Sequence, residues 1–276
     1  MTLLGKSVRS YIHRLYPYVT PDSSVGELRR LVRELRVRVI PVVRDELSMK
    51  FMGLVKRSAL LMVSSTRAAI TAKDLMEDPK TTALEDENLA DVLRRLVEVD
   101  EWYAPVLTQD GRYLGIVGLE AGLMEMLSSG SRVLESPVDY YMSTDLVFVE
   151  PDTPVYRVWQ MMLSRRLAAL PVVRRGRIVG VIAEHDLVAR GYTRPDLEAE
   201  GLRAGPRVRE VMHTPPITVE LGTPMKRAVE LMLLRDIGRV YVVERGNVLR
   251  GVVDRSDAIA AWLGMRRPRV AMEAAG

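Results

Sequence analysis

A short apolar strand, followed after a turn by a glycine and two more apolar residues, occurs four times along this chain. The copies are Ile40-Pro41-Val42-Val43 with Gly53-Leu54-Val55, and Ala104-Pro105-Val106-Leu107 with Gly115-Ile116-Val117. Then come Leu170-Pro171-Val172-Val173 with Gly180-Val181-Ile182, and Val240-Tyr241-Val242-Val243 with Gly251-Val252-Val253. The anchors at 41, 105, 171 and 241 are 64, 66 and 70 residues apart. A unit of that size buries too little apolar surface to stand alone, so the period predicts a repeat architecture whose units pack on one another.

Each copy carries further signals in the same order. A lead opens it: Val8-Arg9-Ser10-Tyr11-Ile12-His13, Ala72-Lys73-Asp74-Leu75-Met76-Glu77, Val138-Asp139-Tyr140-Tyr141-Met142-Ser143 and Val208-Arg209-Glu210-Val211-Met212-His213. Seven residues beyond the Ile or Met stands a strand end, at Val19, Ala83, Val149 and Val219. Polar caps such as Pro21-Asp22-Ser23-Ser24 and Pro151-Asp152-Thr153-Pro154 then announce a helix, because Asp, Ser and Thr accept its free amides and Pro suits its first turn. Apolar residues at three-four spacing follow, as in Val25, Leu28, Leu31, Val32 and Leu35, or Val155, Val158, Trp159, Met162 and Leu163. A second amphipathic helix is expected after the glycine strand, with Met124, Met126, Met161 and Met162 filling core. The order in each unit is strand, helix, strand, strand, helix.

The Asp-Leu-Met lead, the Pro-Val-Val strand and the Gly-apolar-apolar-x-x-x-Asp element together resemble the CBS domain, named for cystathionine β-synthase, from Val8 to Gly264. The resemblance implies an α/β (α+β) fold of four β-α-β-β-α repeats, over 1–70, 71–130, 131–194 and 195–276, the last with a basic tail. It further implies two pseudo-symmetric pairs, one with two and three with four, in a disc-like arrangement formed within the chain or as a homodimer.

It also implies where a ligand sits. In the family, adenine nucleotides lie in clefts between paired units, and an Asp six residues after the strand glycine holds the ribose hydroxyls. A carboxylate accepts from both vicinal hydroxyls, and the adjoining helix start offers amides to phosphate. Counting six gives Ala59, Ala121, Asp186 and Asp257, so only units three and four keep the acid. The candidate nucleotide set is Asp257, Ser256 and Arg239 in unit four, with Asp186 and His185 in unit three. Both units depart from the family's Ser or Thr three residues before the Asp, having Asp254 and Ala183 there. Asp186 and Asp257 are equally suited to capping their helices, and that reading stays open. Units one and two, with alanine at the position, read as a scaffold or partner surface.

The function this suggests is a non-enzymatic regulatory sensor of AMP, ADP or ATP, acting on an unidentified protein partner. It requires no cofactor beyond the nucleotide as regulatory ligand. No metal-ligand spacing joins His13, His185 and His213, and no phosphate loop or Ser/His/Asp constellation suggests catalysis. The histidines read as ordinary surface or cap residues. A free-standing regulatory subunit of an enzyme or transporter is a second form of the same idea.

Composition adds three expectations. The chain has no cysteine, which excludes disulfides, and no apolar run near the roughly 20 residues of a membrane span, so a cytoplasmic protein without membrane partners is expected. Arginine supplies 34 of 40 basic residues, while Asn and Gln occur twice each, a heat-adapted balance. The net charge of +4 divides unevenly: residues 1–70 carry 13 basic and 5 acidic groups, and residues 71–128 carry 5 and 13. Mutual docking of these two units is the simplest use of that contrast. The Arg29, Arg33, Arg36 face and the tail Arg266, Arg267, Arg269 read as solvated ion-paired surfaces, or as a docking surface for RNA or a ribonucleoprotein such as the ribosome.

Overall fold

The lead methionine and the strand glycine are two halves of one contact. A Cβ added at Gly251 would lie 2.3 Å from the Met142 sulfur, and one at Gly180 would lie 2.6 Å from that of Met212. At Gly53 it would meet the Glu77 carbonyl at 3.0 Å and Met76 at 3.4 Å, and at Gly115 the His13 carbonyl and Ile12 at 2.6 Å. Each lead therefore crosses the glycine strand of its neighbour, which needs the bare backbone to admit it. The computed structural model describes residues 5–63, 70–192 and 205–265.

The strands are β1 Val39–Val43, β2 Phe51–Lys56, β3 Ala83–Leu84, β4 Tyr103–Leu107, β5 Tyr113–Gly118, β6 Ala169–Arg174, β7 Arg177–Ala183, β8 Thr218–Glu220, β9 Arg239–Glu244 and β10 Val248–Asp254. In every unit the residue expected at the strand end pairs in parallel with the middle of the Pro-Val-Val strand: Val19 with Val42, Ala83 with Val106, Val149 with Val172 and Val219 with Val242. In units one and three this strand shrinks to a single bridge. The crossing leads pair His13 with Ile116, Glu77 with Leu54, Ser143 with Val252 and His213 with Val181, always between one and two or three and four. In the C-terminal pair β7 also meets β10, giving a five-stranded sheet in the order β6-β7-β10-β9-β8.

Helices join the pairs. Helix Val25–Leu35 and the run Arg57–Met62 of unit one pack on helix Glu184–Ala189 of unit three. Helices Leu89–Glu98 and Leu119–Ser128 of unit two pack on Arg255–Trp262 of unit four. A Cβ on Gly122 would stand 2.5 Å from Ile259, so that crossing is close. Two apolar cores follow from this, one shared by units one and three and one by two and four. Sheets pair the units one way and helices the other, which gives the disc-like arrangement of two pseudo-symmetric pairs.

The charge contrast is used as expected. Across units one and two, Arg9 meets Asp86 at 2.6 Å, Arg14 meets Glu85 at 3.5 Å, and Lys56 lies between Glu101 at 2.7 Å and Glu77 at 2.8 Å. Two local expectations need correction. The closing segment of unit one, Arg57–Met62, is a 3-10 run without a side-chain cap instead of an α-helix. It leads into Val63-Ser64-Ser65-Thr66, poor helix formers. Met124 and Leu35 are not core, with 48% and 56% of their surface exposed.

Candidate functional site

Asp186 and Asp257 occupy the same place in their units, the third residue of a closing helix that starts where the glycine strand ends. Both are buried, at 4% and 7% exposure. Asp257 Oδ2 accepts the Asp254 amide at 2.9 Å, and Asp254 Oδ1 accepts the Asp257 amide at 2.9 Å. The departure of unit four from the family pattern thus has a structural role, since Asp254 completes a reciprocal cap. Unit three has Ala183 there, so only half the cap forms, with Asp186 Oδ2 accepting the Ala183 amide at 2.9 Å. Capping is therefore real for both acids, and each uses one oxygen for it.

The other oxygen of Asp186 is held by a residue that sequence reading placed on the bland side. His213 Nε2 lies 2.5 Å from Asp186 Oδ1. His213 reaches it because the lead of unit four crosses β7 of unit three, which no reading of unit three alone reveals. His185 points its Nδ1 into a buried position without a hydrogen-bond partner. Burial, then the Arg36 and Arg57 guanidiniums, hold its imidazole below the ordinary value of 6.5.

Around Asp257 the residues converge less directly. Ser256 is 2% exposed and its buried hydroxyl has no partner. Arg239 opens β9, paired in register with Asp254, and donates to the Ala169 carbonyl of unit three at 3.1 Å. Arg239 thus spans the two C-terminal units. Immediately before it, a Cβ on Gly238 would lie 2.4 Å from the Trp102 ring and 3.0 Å from the Arg38 guanidinium. The start of β9 therefore abuts the N-terminal pair at the centre of the disc.

That centre holds a cluster the sequence reading passed over. Arg255, 2% exposed, donates to Glu120 at 3.2 Å, to Asp236 at 3.0 Å and to the Tyr103 hydroxyl at 3.3 Å. Arg57 and Glu184 make the corresponding bridge between units one and three at 3.4 Å. Arg38 lies over the Trp102 ring at 4.5 Å, and Arg255 approaches the same ring at 5.9 Å. Burial, helped by Arg57 and Arg255, pushes Arg38 down to about 10, so it remains a cation at neutral pH. Burial also holds the Glu120 carboxyl above the ordinary range despite Arg255 in front of it. One signal was available for the Arg57 bridge: Arg57 and Glu184 both stand four residues after their strand glycine, with opposite charges in units that touch.

The arginine face behaves differently from expectation at one position. Arg29 is half-buried and donates to the Val63 carbonyl, so it is not a solvent-facing cation. Arg33 lies 3.6 Å from Glu34, and Arg36 is exposed at the left-handed end of the helix. Arg266, Arg267 and Arg269 lie outside the described residues. Among the described residues no group of three acidic or histidine side chains is arranged to hold a metal, and no helix is long and apolar enough to cross a membrane.

Comparison with known proteins places this geometry. The model of the CBS domain matches residues 8–65, 72–122, 138–191 and 208–264. The Methanocaldococcus jannaschii protein MJ1225 is 22% identical over 263 residues, covering 87% of this chain and 93% of its own. The crystal structure of MJ1225, proposed as an archaeal homologue of γ-AMPK, superposes with a TM-score of 0.82 at 18% identity, covering 93% of this chain and 99% of that one. A second protein of that organism, MJ1404, is 24% identical over 265 residues, and the match spans 93% of this chain but 62% of MJ1404. A structure of a conserved protein from Pyrococcus horikoshii matches with a TM-score of 0.63 at 18% identity, over 93% of this chain and 100% of that one. At these identities the likeness is one of fold.

Proposed function

Because this chain belongs to the CBS domain family, with four matched units over most of its length, we propose that it is a non-enzymatic regulatory protein that senses an adenosine nucleotide in its C-terminal pair. The observation that carries the reading is the placement of Asp257. Its buried carboxylate stands in the first turn of a helix, beside the unpartnered Ser256 hydroxyl, in a unit whose Arg239 opens the neighbouring strand. A ribose diol would donate to Asp257, the base would lie against the strand starts and lead, and Arg239 would meet phosphate.

The centre of the disc favours an anionic ligand for a second reason. Arg38, Arg57 and Arg255 converge there, and Arg38 is set over an aromatic ring with no ion pair to a carboxylate among the described residues, the Asp236 carboxylate attracting it from farther off. Three guanidiniums gathered in a half-buried centre repel one another, and a phosphate there would relieve that cost. Binding would be passed to a partner through the pairs, since the centre is shared by all four units. AMP, ADP and ATP each fit this chemistry.

Thermal unfolding tests the reading. A ligand that binds only the folded state raises the melting temperature by mass action, so at least one of AMP, ADP and ATP at millimolar concentration is expected to do so. Asp257→Asn keeps an acceptor for the cap and removes the charge, and it should erase the shift while the protein stays folded. No shift with any of the three in the unmodified chain rejects the proposal. Docking on RNA has less support, since Arg29 is turned inward and Arg33 has Glu34 beside it.

A further inference from the structure

The first helix does not present RNA with an arginine face, yet the C-terminal pair gathers a second cluster. Strands β6 and β7 are joined by Arg174-Arg175-Gly176-Arg177, and β9 and β10 by Glu244-Arg245-Gly246-Asn247. The two turns are zipped side by side. The Ile178 amide donates to the Asn247 carbonyl at 2.9 Å, and the Leu249 amide to the Gly176 carbonyl at 3.0 Å. Left-handed residues at Arg175, Gly176, Gly246 and Asn247 tighten both turns. Arg177 lies beside Gly246, where an added Cβ would stand 3.4 Å from its Nη1. Five exposed arginines therefore share this end of the sheet: Arg174, Arg175, Arg177, Arg245 and Arg250. Arg250 holds Glu244 at 2.5 Å, and the other four form no ion pair among the described residues.

Beside these turns lies an open groove of about 270 Å³ that crosses from unit three to unit four. Leu146, Phe148 and Leu249 form its floor, Arg175 stands at its edge, and Glu150 is on its wall. Phe148 is 49% exposed there. The volume is below the roughly 300–1,000 Å³ that encloses a small-molecule ligand, and it suits one flat ring. The N-terminal pair closes the same place. Phe148 and Leu249 correspond there to Tyr18 and Tyr113, whose rings meet at 6.2 Å. Its hairpin turns set Asp45, Glu46 and Asp110 against Arg44, Lys50 and Arg112. The opening and the positive charge thus belong to the C-terminal pair and not to the repeat.

A row of unpaired cations beside an exposed aromatic ring on an apolar floor matches a single strand of nucleic acid. Phosphates meet the arginines, and a base stacks on the ring. Glu150 decides between RNA and DNA. A carboxylate beside a phosphate chain is repulsive unless it accepts a hydrogen bond, and only ribose offers it a 2′-hydroxyl. An acidic protein segment would gain from the arginines, but it would gain nothing from Phe148 and would be repelled by Glu150. We propose that the hairpin end of the C-terminal pair is a docking surface for single-stranded RNA. Arg174, Arg175, Arg177 and Arg245 meet phosphates, Phe148 lies under a base, and Glu150 accepts from a ribose hydroxyl. This is independent of the nucleotide reading, because Asp186 and Asp257 follow the far ends of β7 and β10.

Fluorescence anisotropy of the full chain with a labelled single-stranded RNA of about ten nucleotides tests this, beside the same sequence as DNA. Tighter binding of the RNA is expected. Neutralising about four phosphates of a single strand gives a slope near −3 for the logarithm of the association constant against that of salt concentration. Arg175→Ala/Arg177→Ala/Arg245→Ala should flatten that slope by about 2. Phe148→Leu should weaken binding roughly five- to hundredfold at every salt concentration and leave the slope unchanged. Phe148→Tyr keeps the ring and should bind as the parent does. Melting temperatures show that each variant is folded, and if Phe148→Leu is not, the arginine variant and the DNA comparison still decide. No binding at low salt, a slope unmoved by the triple variant, or affinity indifferent to the loss of the Phe148 ring overturns the proposal. Equal affinity for DNA overturns it too, as does displacement of the RNA by an equal concentration of poly-glutamate, which would make the surface a general anion patch.

Discussion

Arg255 donates to Glu120 of unit two and to Asp236 of its own unit from a position 2% exposed to solvent. Truncating it strands Glu120, whose side chain is 30% exposed, so the loss should fall below the roughly 3–5 kcal/mol of a fully buried pair, at about 1–3 kcal/mol. Urea unfolding of Arg255→Met should show a loss of that order, and adding Glu120→Gln should recover part of it by removing the orphaned charge. His185 gives a pH prediction. Its folded pKa is lowered, so the unfolded chain binds the proton more readily, and stability held above 6.5 is lost as pH falls through the lower folded value. Denaturation midpoints of His185→Asn should therefore fall less than those of the parent below pH 6.5. The positions of Asp186 and Asp257 were legible from counting, because they belong to one unit's own pattern. The partners of Arg255 and His213 were not. Glu120 lies 135 residues from Arg255, and Asp186 lies 27 from His213 in a different unit, so periodicity within a unit carries no sign of either contact.

At the scale of elements, the glycine strands were legible and their reason was not. Gly115 has a φ of +146°, and a Cβ there would sit 2.6 Å from the His13 carbonyl and from Ile12. Gly115→Ala should cost about 1–3 kcal/mol, because backbone must shift to admit the methyl. A milder loss is expected for Asp254→Ala, which removes one half of the unit-four cap for about 0.5–2 kcal/mol. Comparing both melting temperatures with the parent checks the two together. The closing segment of unit one shows where pattern fails. Its apolar residues Leu60 and Leu61 are buried as a helix would bury them, yet the segment is a 3-10 run. Apolar spacing over six residues does not separate the two forms, and 3-10 turns are used in short pieces of this kind.

Over the whole molecule, pairing of one with two and three with four was expected from the family resemblance, and the charge contrast supported the first pair. What charge and pattern left open was the second direction of packing, helices of one against three and two against four, because amphipathic stripes do not name their partners. The bridges between units one and two are mostly exposed, so each contributes only about 0–1 kcal/mol and salt should weaken them. The central claim is the proposal that the C-terminal pair holds an adenosine nucleotide through Asp257. Isothermal calorimetry with AMP, ADP and ATP on the unmodified chain and on Asp257→Asn tests it most directly. The account predicts saturable binding of at least one of the three, diminished or abolished in Asp257→Asn with the fold intact by circular dichroism. Absence of binding at millimolar nucleotide, or undiminished binding in Asp257→Asn, would contradict it.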